Sequence, residues 1–204
     1  MQNRAEKTKS KILQAAQKEF SDKGFHGARV DSIAEKAGIN KQRIYAYFKN
    51  KENLFCEVLK SCFQLIADHE RVFTDLLEKD IPHLEDRILR YYMSFHEKYP
   101  HFWRLIAWEN LDGGKRSNTI RGIREQSFRH LKNLYQKGQK QGIYKEEVSF
   151  ETFIFLLSAV SFFYYSNQKT MSKTLNVNLF DTKIQDKLVK QILLLLHPQS
   201  GKAN

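Results

Sequence analysis

Lys41, Gln42 and Arg43 stand side by side at the start of a short segment whose apolar residues have helical spacing. Their side chains are those that read base edges in a DNA major groove. Gln pairs bidentately with adenine, and Arg or Lys with guanine. Tyr45 and Tyr47 follow within a turn or two and offer phenol hydroxyls to phosphate oxygens. Lys51 adds positive charge where the next helix begins. The chemistry this spacing offers is recognition of double-stranded DNA, against the plainer reading of a solvated basic surface.

A second group of residues suits a small ligand. Tyr92, Phe95, His96, Trp103, Phe128 and Phe163 are aromatic side chains on helical segments and would line a cavity between helices. Simple core packing accounts for each of them equally well. Phe102, Leu105, Ile106 and Glu109 fall on one helical face, so Glu109 lies on an apolar stripe, where an unpaired carboxylate is costly. Pairing with an arginine such as Arg121 or Arg124 would give it a structural role. Otherwise Glu109, with Asn110 beside it, would orient a ligand, and among aromatics a lipophilic cation suits such a site. The expected ligand is therefore small and either hydrophobic or cationic.

Catalytic chemistry is not indicated. The seven histidines include no pair at the spacing of a helical zinc site with an intervening Glu, and Pro100 separates His96 from His101. No nucleophile elbow or dinucleotide fingerprint appears, and Gly113-Gly114-Lys115 lacks the rest of a phosphate loop. The expectation is a non-enzyme with no metal and no cofactor.

These side chains need elements to hold them, and the pattern is helical throughout. Residues 5–22 place Ile12, Leu13, Ala16 and Phe20 at helical spacing, with Gly24 as a C-cap. Val30, Ile33, Ala34 and Ala37 form a second short helix closed by Gly38. Asn40 is placed to cap a third that runs to Phe48. Two short helices joined at a glycine turn make a helix-turn-helix, whose second helix enters the major groove. A longer helix starts at Lys51. Further helices are expected over 84–98, 100–111, 118–138, 149–168 and 182–197. The last two are apolar nearly all round, so a second subunit is the natural cover. Phe155, Leu156, Ala159, Phe162, Ile192, Leu195 and Leu196 are the expected contacts of a homodimer.

The stretch Ile33–Leu54, with Lys11–Ala16 and Gly24-Phe25 upstream, resembles the DNA-binding signature of the TetR/AcrR family across about residues 5–58. The resemblance implies an all-α, TetR-like homodimer of about nine helices. It has a three-helix DNA-binding domain at 1–50 and a helical bundle for ligand binding and dimerisation at 51–204. It also implies a transcriptional regulator, in most members a repressor released from a palindromic operator by a small molecule. A regulator of the same fold that needs no inducer is the alternative. Lys41, Gln42, Arg43 and Tyr45 then occupy the DNA-contacting positions, with Tyr47 and Lys51 on the backbone. The family usually has Thr or Ser just before its second helix, where this chain has Ala28-Arg29. Arg29 is expected to take over the phosphate contact, with Ser32 beside it, and Asp31 or another group to provide the cap. Gln42-Arg43 replaces a usual Gly and small residue, which points to more direct base readout.

Composition agrees with a polyanion partner. The net charge is +11, and residues 1–60 carry thirteen Lys/Arg against seven Asp/Glu. Cys56 and Cys62 sit six apart on one helix, facing different ways, which suits a reducing compartment. The polar N-terminus has no signal-peptide core, and the apolar run Phe153–Tyr165 is too short to span a bilayer. A cytoplasmic protein with no membrane partner is expected.

Overall fold

The computed structural model describes residues 2–196, with side chains over 4–195. The described residues form nine α-helices and no strand. They are α1 (Gln2–Gly27), α2 (Val30–Ala37), α3 (Lys41–Phe48), α4 (Lys51–His69), α5 (Leu84–Lys98), α6 (Pro100–Leu111), α7 (Glu125–Lys140), α8 (Phe150–Thr174) and α9 (Thr182–Leu196). Short 3-10 turns occupy Glu70–Asp75, Glu78–His83 and Ser117–Ile120. None of the described helices is long and apolar enough to cross a membrane.

Two compact units share the chain. The first holds α1 to α4 together with Tyr99–Arg124, and the second holds Glu70–Lys98 with α7, α8 and α9. By packing, then, α4 and α6 group with the helix-turn-helix, whereas a division by motif falls at residue 50. The core of the first unit joins Ile12, Ala16 and Phe20 of α1 to Ile33 of α2, Ile44 and Phe48 of α3, Leu54, Phe55 and Val58 of α4, and Leu105 of α6, all buried. Each of the Ile, Leu, Val and Phe side chains contributes about 1.5–3 kcal/mol through burial. The second unit is built on Ile81, Leu84, Ile88, Leu131 and Leu157. Beside them Tyr135, Tyr144 and Phe153 form a mutual ring cluster, with Tyr135 stacked on Tyr144 at 4.9 Å and on Phe153 at 4.5 Å, and those two 5.6 Å apart.

Three boundaries differ from the sequence expectation, each for a local reason. Gly24 does not end α1 outright. It breaks the helix at φ 68, ψ −179, and helical turns resume as far as Gly27. That break admits Trp108, for a Cβ on Gly24 would meet the indole at 2.8 Å. Helix α7 begins at Glu125 instead of 118, because Arg121 turns extended at ψ 133 to end the preceding 3-10 turn and Gly122 follows in the left-handed region at φ 78. Helix α8 continues six residues past 168. Its polar end is satisfied internally: Thr170, Ser172 and Thr174 hydroxyls donate to carbonyls three or four residues back. It stops at Leu175, before Asn176 turns left-handed at φ 51.

Candidate nucleic-acid interface

Gly38 makes the turn between α2 and α3. It adopts φ 64, ψ 35, and its N–H returns to the Ala34 and Glu35 carbonyls. A Cβ there would meet nothing within 4 Å, so the requirement is the left-handed backbone alone, not closeness of the helices. Asn40 then caps α3, its Oδ1 accepting from the Arg43 amide at 2.7 Å. With Ile44 and Phe48 turned into the core, Lys41, Gln42 and Arg43 stand exposed on the first turn. Tyr45 is also exposed, and Tyr47 is half-buried beside Phe48. Asn50 repeats the capping device for α4, accepting from the Asn53 amide at 2.8 Å.

Several of these cations already have partners. Lys41 pairs with Asp31 at 2.9 Å, and this hydrogen bond raises the ammonium pKa. Asp31 is thus engaged with α3, and α2 starts at an extended Arg29 with no side-chain cap. Lys51 lies 4.8 Å from the Phe25 ring centre and donates to the His26 carbonyl at 3.4 Å. Burial and the nearby Arg116 charge lower its pKa. Arg29 is exposed, whereas the Ser32 hydroxyl donates to Glu19 at 3.0 Å.

Glu19 is the residue that sequence reasoning missed. It is fully buried and accepts from Ser32, from Lys23 at 2.8 Å, from Lys36, and from the Arg29 amide at 3.5 Å. Burial pushes its pKa up, but the hydrogen bonds from Lys23, Lys36, Ser32 and Arg29 outweigh it and lower the value to about 2. The carboxylate thereby ties α1 to the start of α2, the element on which α3 rests. The signal was present: Ile12, Ala16 and Glu19 share one helical face, the reasoning applied to Glu109.

Comparison with known proteins agrees with this geometry. Residues 12–58 match the model of bacterial regulatory proteins of the tetR family. Residues 86–194 match the tetracyclin repressor-like C-terminal domain. The second match alone takes in more than half of the chain. The chain belongs to the TetR family.

TetR-family relatives reinforce the assignment. The transcriptional repressor NicS of Pseudomonas putida is 29% identical over 181 residues, covering 87% of this chain and 84% of NicS. The repressor SCO4008 of Streptomyces coelicolor is 34% identical over 156 residues, 76% of this chain and 77% of the relative. Among solved structures, the hemolysin II transcriptional regulator HlyIIR superposes with a TM-score of 0.64 at 25% identity, over 96% of this chain and 99% of HlyIIR. This TetR-family chain is a DNA-binding transcriptional regulator.

The ligand candidates divide between the two units. Tyr92, Phe95 and His96 are buried in the second unit. Tyr92 donates to the buried Glu70 at 3.0 Å, and the His96 ring lies 6.4 Å from Phe162 and 6.1 Å from Tyr165. Phe128, half-buried, meets Phe150 at 6.2 Å. Trp103, Glu109 and Asn110 belong to the first unit. Glu109 is buried and paired, but its partner is Arg116, not Arg121 or Arg124. It accepts from the Arg116 amide at 2.5 Å and from its guanidinium at 3.0 Å. Arg116 sits in the turn after Gly113-Gly114, where helical periodicity carries no information.

Among the expected dimer contacts, Phe155, Leu156 and Leu195 are exposed, with Phe163 and Leu194 beside them in sequence. Ala159 and Ile192 are half-buried. Leu196 ends α9, and its side chain lies outside the described residues. Phe162 and Phe163 differ in exposure. Phe162 packs near His96, while the exposed Phe163 lies on the helical face of the exposed Phe155 and half-buried Ala159 at four-residue spacing.

Proposed function

We propose that the chain acts as a homodimeric repressor reading a palindromic operator through Lys41, Gln42 and Arg43, and that a small apolar ligand in the second unit releases it. The observation that carries this is the exposed first turn of α3, capped by Asn40 and projecting three base-reading side chains from a helix-turn-helix. Tyr45, Tyr47 and Arg29 supply phosphate contacts. Lys41 and Lys51 exchange their present partners for phosphate or base groups on binding. The exposed faces of α8 and α9 pair with those of a second copy, so that two α3 helices meet successive major grooves.

The ligand class follows from what the second unit offers. Tyr92, Phe95, His96 and Phe162 are aromatic and sit together on α5 and α8. Glu109 is committed to Arg116, so the reason for a cationic ligand falls away. NicS and SCO4008 are named as repressors, which supports repression as the direction of control.

Selection of duplexes from random DNA, followed by anisotropy at several salt concentrations, tests the reading. A two-fold-symmetric site bound at least about 10³-fold tighter than random DNA, two chains per site, is expected. Equal, purely salt-driven binding to selected and random duplexes would overturn it.

A further inference from the structure

Arg116 is only 7% exposed, yet it makes contacts to three carboxylates and two aromatic rings. From the turn after α6 its Nε donates to Glu52 at 2.6 Å, and Nη2 reaches the other Glu52 oxygen at 3.3 Å. Nη1 donates to Glu109 at 3.0 Å and to Asp112 at 2.7 Å. The guanidinium carbon lies 3.9 Å from the centre of Phe25 and 5.0 Å from that of Phe55. Asp112 in turn takes Lys115 at 2.9 Å and His26 at 3.2 Å. A planar five-donor fork over aromatic faces suits arginine and no other side chain.

The partners divide into two sets. Glu109 and Asp112 belong to α6 and its C-cap, so those bonds close the segment on itself. Glu52 lies in the first turn of α4, and Phe25 follows the break in α1 at Gly24. The latter contacts fasten the segment to the DNA-reading module. Lys51, next to Glu52, stands over the same Phe25 ring. Trp108 makes a second tie, donating to the Ser21 carbonyl at 3.2 Å. Chain connectivity gives the fastening a further meaning. Tyr99–Arg124 packs with the first unit, but the helices on either side of it in sequence, α5 and α7, pack in the second.

We propose that Arg116 is a positioning residue for operator recognition, holding Tyr99–Arg124 against Glu52 and Phe25 and so fixing the α3–α4 corner that presents Lys51 to DNA. It rests on the DNA-binding reading of α3. Glu52 is the informative partner, because its removal cuts the tie to α4 while leaving the Arg116 bonds to Glu109 and Asp112.

The test uses the full-length protein and a duplex selected from random DNA by the wild type, with a scrambled duplex beside it. The wild-type preference is measured first, so failure of the DNA-binding reading shows there and not in the variants. Glu52→Gln is expected to weaken binding to the selected duplex about threefold to tenfold, with the scrambled duplex changed less than about twofold. Arg116→Gln is expected to weaken it about tenfold or more, Arg116→Lys to recover little of that, and the double variant to add nothing to Arg116→Gln. Should Arg116→Gln fail to fold, Glu52→Gln alone decides. Wild-type preference in Glu52→Gln, or equal losses on both duplexes, would overturn the proposal.

Discussion

The two units of the chain solve the same packing problem by different means. The first sets three buried charged side chains, Glu19, Glu109 and Arg116, against its apolar core, and Glu19 and Arg116 each bond to several elements. The second also buries carboxylates, Glu70, Asp80 and Glu85, but sets two of them against tyrosines: Tyr92 donates to Glu70 at 3.0 Å, and Tyr144, which with Phe153 stacks on Tyr135, donates to Glu85 at 2.5 Å. Burial and the Glu85 carboxylate both push the Tyr144 hydroxyl pKa upward, so it remains a donor. Directional hydrogen bonds hold few arrangements, whereas apolar and aromatic contacts tolerate sliding and exchange of partners. A unit that must match base edges gains from the first solution. One proposed to accommodate a ligand and a second subunit gains from the other.

The comparison can be broken most severely at the exposed faces of the second unit. Phe155→Glu combined with Leu195→Glu is expected to yield a monomer by sedimentation and to weaken operator binding about 10²–10⁴-fold, since two half-sites no longer bind together. Arg43→Ala comes next, losing about 1–3 kcal/mol on the selected operator by anisotropy and little on random DNA. Gly138→Ala strikes the stacked core. A Cβ there would lie 2.5 Å from Tyr144 and 2.7 Å from Ile81, so thermal melting is expected to show a loss of about 1–3 kcal/mol without a change in base preference.

The smallest effect sharpens the comparison by pH. Glu19 has its pKa lowered from 4.5 to about 2 in the folded chain. Its contribution is therefore fully present above the unfolded value and is lost as pH falls from 4.5 towards 2. Glu19→Gln is expected to flatten that part of the acid-unfolding curve followed by circular dichroism. An unchanged acid limb would show that the carboxylate is not held as described.

Legibility in the sequence followed how local each determinant is. The boundaries of α2, α3 and α6 and the start of α4 were readable, because Gly38, Asn40, Lys49-Asn50 and Pro100 act through the backbone at their own positions. The start of α7 was not, since Gly122 inside a helical pattern gives no sign of its left-handed φ. The burial of Glu109 was legible from periodicity, but its partner was not, because Arg116 lies in a turn whose course depends on Gly113 and Gly114. The facing of Phe162 and Phe163 was not legible for another reason. On a helix apolar nearly all round, periodicity has no polar side against which to fix its phase.

The most direct test of the central claim is methylation interference at guanine N7 on the selected operator, read with the wild type and with Arg43→Ala. N7 lies in the major groove, where the first turn of α3 is proposed to sit. The account predicts interference at two clusters related by two-fold symmetry and separated by one helical turn or a multiple of it. Contacts at guanine that depend on Arg43 should disappear in the variant. Interference absent altogether, or identical with and without Arg43, would contradict the claim that this helix reads the bases.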